Sequence, residues 1–435
     1  LTNISITNMP ADVGLVAKPG IKALLHALED GVCGNVDAST SLMLELSSFP
    51  TTILTGAFSV VKRLVNSTIL DASLGTDEQW QRLLKELNKS GKDIQTVFSK
   101  NEIDKRILDD LCLAVSGLEY RNWLVFLYFK LNIEQLQNAY LRFVVEATES
   151  FENFKTNLMV MITEFSHKDR GFRRLYDERK RLLKDFPEED VAVFVKANEV
   201  DPDESIYRLT DNTLLEKKTV VKWVAQHGLC EAISYVYPAL DDYLKKYIFD
   251  SPVLATELTE YFDAYKQQKV SNRISDDFIT LVEKYASGIS YAKLPTRDNA
   301  IKAIADKDNA YLYWIDALGV EYMSYITALA KKKGLSIHTD FVRSDLPTIT
   351  AINKQFYEQW PNDRKFKEEA LDNIKHKEKG GYFFTNDEDP IHIPAELDVI
   401  EKAMNTAAME LGMHHYKSFV IASDHGACRK GFTAV

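Results

Sequence analysis

Four side chains in the last third of the sequence have the types and order needed for metal-assisted chemistry: Asp316, Thr350 and the adjacent pair Asp424-His425. Two carboxylates, an imidazole and a hydroxyl suit a zinc-type site, with N and O ligands at about 2.0–2.2 Å. The hydroxyl matters most. A free Thr is a weak nucleophile, and coordination to a divalent ion lowers its pKa and activates it. A helix beginning at Thr350 would turn backbone N–H groups toward a phosphate, and Asn353, one turn later, could hydrogen-bond a non-bridging oxygen. Each piece alone has a plain reading as a strand-end turn, a loop with a helix cap, or a surface Asp-His turn. Their order and strand context favour the site.

The elements that must position these residues follow from the pattern around them. Phe419-Val420-Ile421 is a short apolar, largely β-branched run, as in a buried parallel strand, and it stops at Ser423-Asp424-His425-Gly426. From Asp298 onward the pattern predicts helices near 298–306, 319–333, 350–359, 364–376 and 395–411. They alternate with strands at 310–315, 335–342, 381–384 and 418–422. That alternation marks an α/β parallel sheet, which gathers strand carboxyl ends on one edge, where ligands bind. Asp316 follows the first of these strands, Thr350 lies in the loop and helix start after the second, and Asp424 ends the last.

Upstream the chain reads differently. Residues 1–70 are mixed, and 41–61 read as strand or irregular structure. Residues 71–295 are dominated by helical periodicity, with Glu119–Leu131 apolar nearly all round and so a buried helix. A linker at 288–297 ends in Pro295-Thr296-Arg297, and 296–435 forms the α/β domain. The chain has 435 residues, a net charge of −11 and only 18 Gly and 12 Pro, which favours helix and argues against a surface that grips nucleic acid everywhere. Locally, residues 168–184 carry eight basic side chains with Phe172 and Tyr176 interleaved. They read either as a DNA contact or as a solvated helix with i,i+4 ion pairs. Four scattered cysteines without a CxxC pair fit a reducing cytoplasm, and no run long enough to cross a membrane is present. A start at Leu1 and an end at Val435, soon after a strand, predict that the protein continues at both ends.

The motifs WIDALGVEYM, LPTIT and the strand-borne SDHG resemble the alkaline phosphatase superfamily, and specifically the PglZ domain of bacterial BREX phage-defence systems. The resemblance covers about residues 300–435, and EYRNWLVFLYFKL in the helical region is also similar to that family. It implies an alkaline-phosphatase-like sheet with one metal held by Asp316, Thr350, Asp424 and His425. Thr350 would attack phosphorus to give a phosphothreonine, and two divalent ions, zinc by type, would clamp the reacting oxygens. The implied activity is a cytoplasmic phosphohydrolase, a phosphodiesterase first, with other phage-defence subunits, among them a DNA methyltransferase, as partners.

For the second ion the resemblance points to His392 with an acid close before it. Asp389 is three residues from His392 and Glu388 four, and both stay open. No His follows His425, so the distal ligand of that site would lie beyond Val435 or is missing; His414 and His415 read as helix-end or surface residues. Two rival readings follow: a non-catalytic scaffold subunit that uses the phosphatase-like fold, and a related monoesterase or phosphomutase.

Overall fold

Helix formation in the amino-terminal half follows local rules. The computed structural model describes residues 56–108, 119–286, 290–304, 306–376, 390 and 392–426. The chain divides into two compact units at Phe186/Pro187. In the first unit, helix α1 (Asp77–Lys89) opens with a reciprocal capping box between Thr76 and Gln79. Helix α2 (Glu119–Leu131) is buried from Tyr120 through Phe129 apart from Arg121 and Asn122, as its all-round apolar sequence requires. The Trp123 indole donates to the Leu74 carbonyl at 2.9 Å, and its ring fills the space beside Gly75 that any Cβ would need.

The basic stretch forms helix α3 (Phe172–Leu182). Arg173 pairs with Asp177 at 3.0 Å and Arg174 with Glu178 at 2.9 Å along the helix. Arg179 is fully buried and donates to the Met159 carbonyl at 3.0 and 2.8 Å. Residues 57–61, expected as strand or irregular, instead belong to a helix over Ala57–Val65, whose apolar residues recur at helical spacing.

The second unit contains the sheet and begins well before the expected boundary at 296. Its helices include α4 (Leu214–His227), α5 (Ala255–Ser271) and α6 (Arg297–Ala303). Strand β1 (Ala310–Ile315) then leads to α7 (Met323–Lys332), α8 (Thr350–Asn353) and α9 (Gln355–Glu358). Next come β2 (Lys365–Glu368), α10 (Ala370–Ile374), α11 (Ile393–Gly412) and β3 (Ser418–Ala422). The strand order is β2-β1-β3 and both pairings are parallel, with Trp314 opposite Lys367 on one side and Ala422 on the other.

Side-chain alternation along β1 sorts the two faces of the sheet. Ala310, Leu312 and Trp314 pack against Ile301, Phe356 and Trp360 from the flanking helices. Tyr311 and Tyr313 turn to the other face, against Phe419, Tyr416 and Phe366. Leu312 is fully buried, a contribution of about 2 kcal/mol. The same parity puts Asp316, the next residue after β1, on the Trp314 face.

Two expected elements differ. Residues 335–342 form no strand, and the neighbourhood holds only an isolated bridge between Thr296 and Arg343. A strand buried on both faces needs an unbroken apolar run, and Ser336, His338, Thr339 and Asp340 interrupt this one. Conversely, Lys365–Glu368, expected within a helix over 364–376, is the edge strand β2. Its lysines are paired inward: the Lys365 ammonium lies over the Tyr357 ring and donates to the Tyr357 and Trp360 carbonyls, and the Lys367 ammonium lies over the Trp314 ring. The strand expected at 381–384 lies outside the described residues.

A buried charged network joins α5, α11 and the turn after β1. Glu396 accepts from Lys269 Nζ and from the Tyr322 hydroxyl, both at 2.6 Å. Lys375 Nζ lies 3.9 Å from its other oxygen and donates to the Ala317 carbonyl at 3.3 Å. Burial alone would push the Glu396 carboxyl up, but the cations around it, Lys269 first, then Lys375 and His392, bring it down to about 2. The folded state therefore refuses a proton that the unfolded chain takes up near pH 4.5, so this stabilisation is complete above that pH and is lost as pH falls toward 2. Urea denaturation from pH 7 to pH 3 should show that decline. Glu396→Gln should flatten the profile and cost about 3 kcal/mol at pH 7, because it leaves buried ammonium groups without their counter-charge. A variant with the wild-type pH profile would exclude Glu396 as its source.

Candidate metal centre

The parallel order of β1 and β3 brings Asp316 and Asp424 to one edge of the sheet. Just past β1, Ala317 has φ +62°, a left-handed conformation that turns the chain off the strand. The turn presents the Ala317 N–H to Asp424 Oδ1 at 3.4 Å and the Leu318 N–H to Ser423 Oγ at 3.0 Å. The Trp314 indole, at the end of the core face, donates to the same Asp424 Oδ1 at 3.1 Å. Asp424 is fully buried, so these neutral donors replace the water it has lost.

The other carboxylate oxygen of Asp424 faces Thr350. The Thr350 hydroxyl donates to Asp424 Oδ2 at 2.6 Å and lies 3.3 Å from His425 Nε2. His425 Nε2 is also 3.2 Å from Asp424 Oδ2 and 3.7 Å from Asp316 Oδ1. Asp316, Asp424 and His425 each offer a ligand atom within 4.8 Å of the others, and Thr350 Oγ1 adjoins that group. The structure thus brings together Asp316, Thr350, Asp424 and His425.

Asp316 supplies the observation that tests the fit of a cation. Its Oδ2 is 2.8 Å from Lys367 Nζ, while Oδ1, buried and directed at the cluster, has no hydrogen-bond partner among the described residues. Burial pushes the Asp316 carboxyl above its usual range; the Lys367 hydrogen bond opposes that, and the neighbouring Asp424 charge adds to it. A buried carboxylate oxygen that faces a second carboxylate and an imidazole is a donor set that a divalent ion would satisfy.

Asn353 is placed differently from expectation. Its side chain is fully buried; its amide nitrogen donates to the carbonyls of Asp345, Pro347 and Ile349, and its oxygen accepts from the Asp345 N–H at 2.8 Å. It ties down the loop that carries Thr350, with no donor left for a substrate. His392 is not part of the cluster: it is buried at the start of α11, with Nε2 3.9 Å from Glu396 Oε1. Glu388 and Asp389 lie outside the described residues. His415 pairs with Glu410 at 2.8 Å on the surface.

Several contributors carry little signal in the sequence. Arg297, which reads as the end of a linker, is buried and donates to the backbone carbonyls of Asp424 at 2.8 Å and Ser423 at 3.3 Å. It also reaches Asn353 Oδ1 at 3.4 Å, so one guanidinium joins the Thr350 loop to the end of β3. Ser344 donates to the Asp424 carbonyl at 2.6 Å. Lys367 is visible only if β2 is recognised as a strand, because its register then sets it beside Trp314.

Comparison with known proteins touches a different part of the chain. Residues 61–227 match a family model described as a domain of unknown function (DUF7863), which is less than half of the sequence and ends before the sheet. No curated protein and no solved structure matches the chain.

Glu321 explains the glycine in the turn. It is buried, with Oε1 3.8 Å from Lys269 Nζ, and a Cβ on Gly319 would overlap its carboxylate. Gly319→Ala should cost about 2 kcal/mol, read as a lower melting temperature. Adding Glu321→Ala frees the space, so the double variant should lose less than the two singles together. Additive losses would reject this packing relation.

Proposed function

We propose that the protein is a metal-dependent phosphohydrolase, a phosphodiesterase first, with Thr350 as nucleophile in an alkaline-phosphatase-like domain. The observation that carries the reading is the meeting of the Thr350 hydroxyl, two carboxylates and an imidazole at the carboxyl edge of the parallel sheet. The resemblance of DALG-x-E, LPTIT and SDHG to PglZ-type proteins supports it. On that resemblance alone, the proposal extends to a cytoplasmic phage-defence assembly with a DNA methyltransferase among its subunits.

The chain's own residues define most of the chemistry. Asp424 Oδ2 accepts the hydrogen bond of the Thr350 hydroxyl and is placed to take its proton as the oxygen attacks. The Thr350 oxygen bonds to phosphorus as the bond to the first alcohol breaks, and that alcohol leaves with a proton. The Thr350 phosphoryl adduct, still bearing the second ester group when the substrate is a diester, is then hydrolysed by water, which restores the Thr350 hydroxyl and releases a phosphomonoester. Arg297 and Asn353 hold the two backbone segments so that Thr350 and Asp424 stay in contact. A divalent ion held by Asp316, Asp424 and His425, next to Thr350, would lower the hydroxyl pKa and neutralise charge on the phosphoryl oxygens.

The test uses full-length protein, an aryl phosphodiester and an aryl phosphomonoester, with Zn²⁺ or Mn²⁺ added. Wild type should hydrolyse the diester faster, Thr350→Ala should lose at least about 10³-fold, and acid quenching should trap phosphate on Thr350 by mass spectrometry. Equal rates for wild type and variant would remove Thr350 as nucleophile. No bound metal and no restored activity on its addition would favour the scaffold reading.

A further inference from the structure

Lys367 projects from the edge strand into the neighbourhood of both carboxylates, yet no step above uses it. Its ammonium is 2.8 Å from Asp316 Oδ2 and 2.7 Å from Glu369 Oε1. It also lies 4.3 Å from the centre of the Trp314 ring, and the Trp314 indole N–H is the donor to Asp424 Oδ1. The placement follows from register, since Lys367 and Trp314 are directly opposed in the parallel β1–β2 pair and so share a face.

We infer that Lys367 is a positioning residue for the metal centre: it engages one oxygen of Asp316 so that the other is presented, as a single ligand atom, to the cluster with Asp424 and His425. This rests on the metal reading given above. A carboxylate turns easily about its Cβ–Cγ bond, and an ammonium on Oδ2 removes that freedom before any ion arrives. The remaining oxygen, Oδ1, is the buried one without a hydrogen-bond partner, 3.7 Å from His425 Nε2. The contact with Trp314 extends the same restraint toward Asp424. An ammonium near a divalent ion also repels it, which acts in the opposite sense. Glu369, a carboxylate outside the cluster, lies 2.7 Å from the Lys367 ammonium and offsets its charge, so the positioning effect decides the sign.

The experiment measures Zn²⁺ affinity of the full-length chain by competition with a chromogenic chelator, and the visible absorption of bound Co²⁺. Lys367→Met keeps the apolar stem and removes the cation; Lys367→Arg keeps a cation; Asp424→Asn marks the site itself. Lys367→Met should weaken Zn²⁺ binding about 10–100-fold and alter the Co²⁺ spectrum, and Lys367→Arg should restore most of both. If Lys367→Met folds poorly, Lys367→Gln, which keeps a donor without the charge, should fall between Met and wild type. Unchanged or tighter binding in the neutral variants, with Asp424→Asn still abolishing it, would overturn the role of Lys367 and leave the metal reading standing. Wild-type affinity in Asp424→Asn, or no binding in the wild type, would overturn the metal reading and this inference with it.

Discussion

The site depends on how one buried carboxylate is satisfied. Asp424 has no solvent exposure and lies beside a second carboxylate, so its charge is tolerated only where donors replace water. Trp314, Ala317 and Thr350 supply them, and each comes from a different place: the end of the central strand, the turn after it and the start of α8. The backbone carbonyl of Asp424 is held as well, by Arg297 and Ser344. Satisfying that one residue therefore fixes the relative positions of β1, β3 and the Thr350 loop, which are the parts a catalytic centre would need fixed.

Around this centre the second unit uses buried charge more freely than apolar packing alone would require. Lys269, Lys375, Glu321 and Glu396 form a network at the back of the Asp316–Gly319 turn, and Lys375 reaches the turn itself through the Ala317 carbonyl. Buried ion pairs add little net stability, yet removing one partner is costly. Such a network is suited to making one conformation of a turn the only affordable one, and the turn here carries Asp316. The left-handed Ala317 and the glycine beneath Glu321 are the local strains and vacancies that this arrangement accommodates.

The first unit is built on different terms. Its core is aromatic and aliphatic, centred on α2, with Arg179 as a buried exception that caps the Met159 carbonyl. Two of its basic side chains on α3 are engaged along their own helix, at Arg173–Asp177 and Arg174–Glu178. The family match covers residues 61–227, most of the described part of this unit and the first helices of the next, so the matched region and the region with the candidate chemistry are different stretches of one chain.

Local sequence determined what depends on short-range rules. The capped start of α1, the all-round burial of α2, strands β1 and β3, and the strand-end positions of Asp316 and Asp424 are all set by periodicity, apolar runs and turn residues within a few positions. The convergence of Asp316 with Asp424 and His425 was also legible, because parallel strands share a carboxyl edge, whereas Thr350 joins them from a segment whose expected strand does not form. Tertiary structure decided what depends on partners distant in sequence. Lys365–Glu368 reads as helix by composition and becomes a strand because β1 offers an unpaired edge; Leu335–Val342 reads as a strand and forms none. Asn353 looks like a ligand to substrate and instead staples its own loop, since the carbonyls it satisfies come together only in the folded turn. Arg297 and Lys367 show no motif at all, because their roles are set by which backbone and carboxyl oxygens the fold brings within reach of a long cationic side chain.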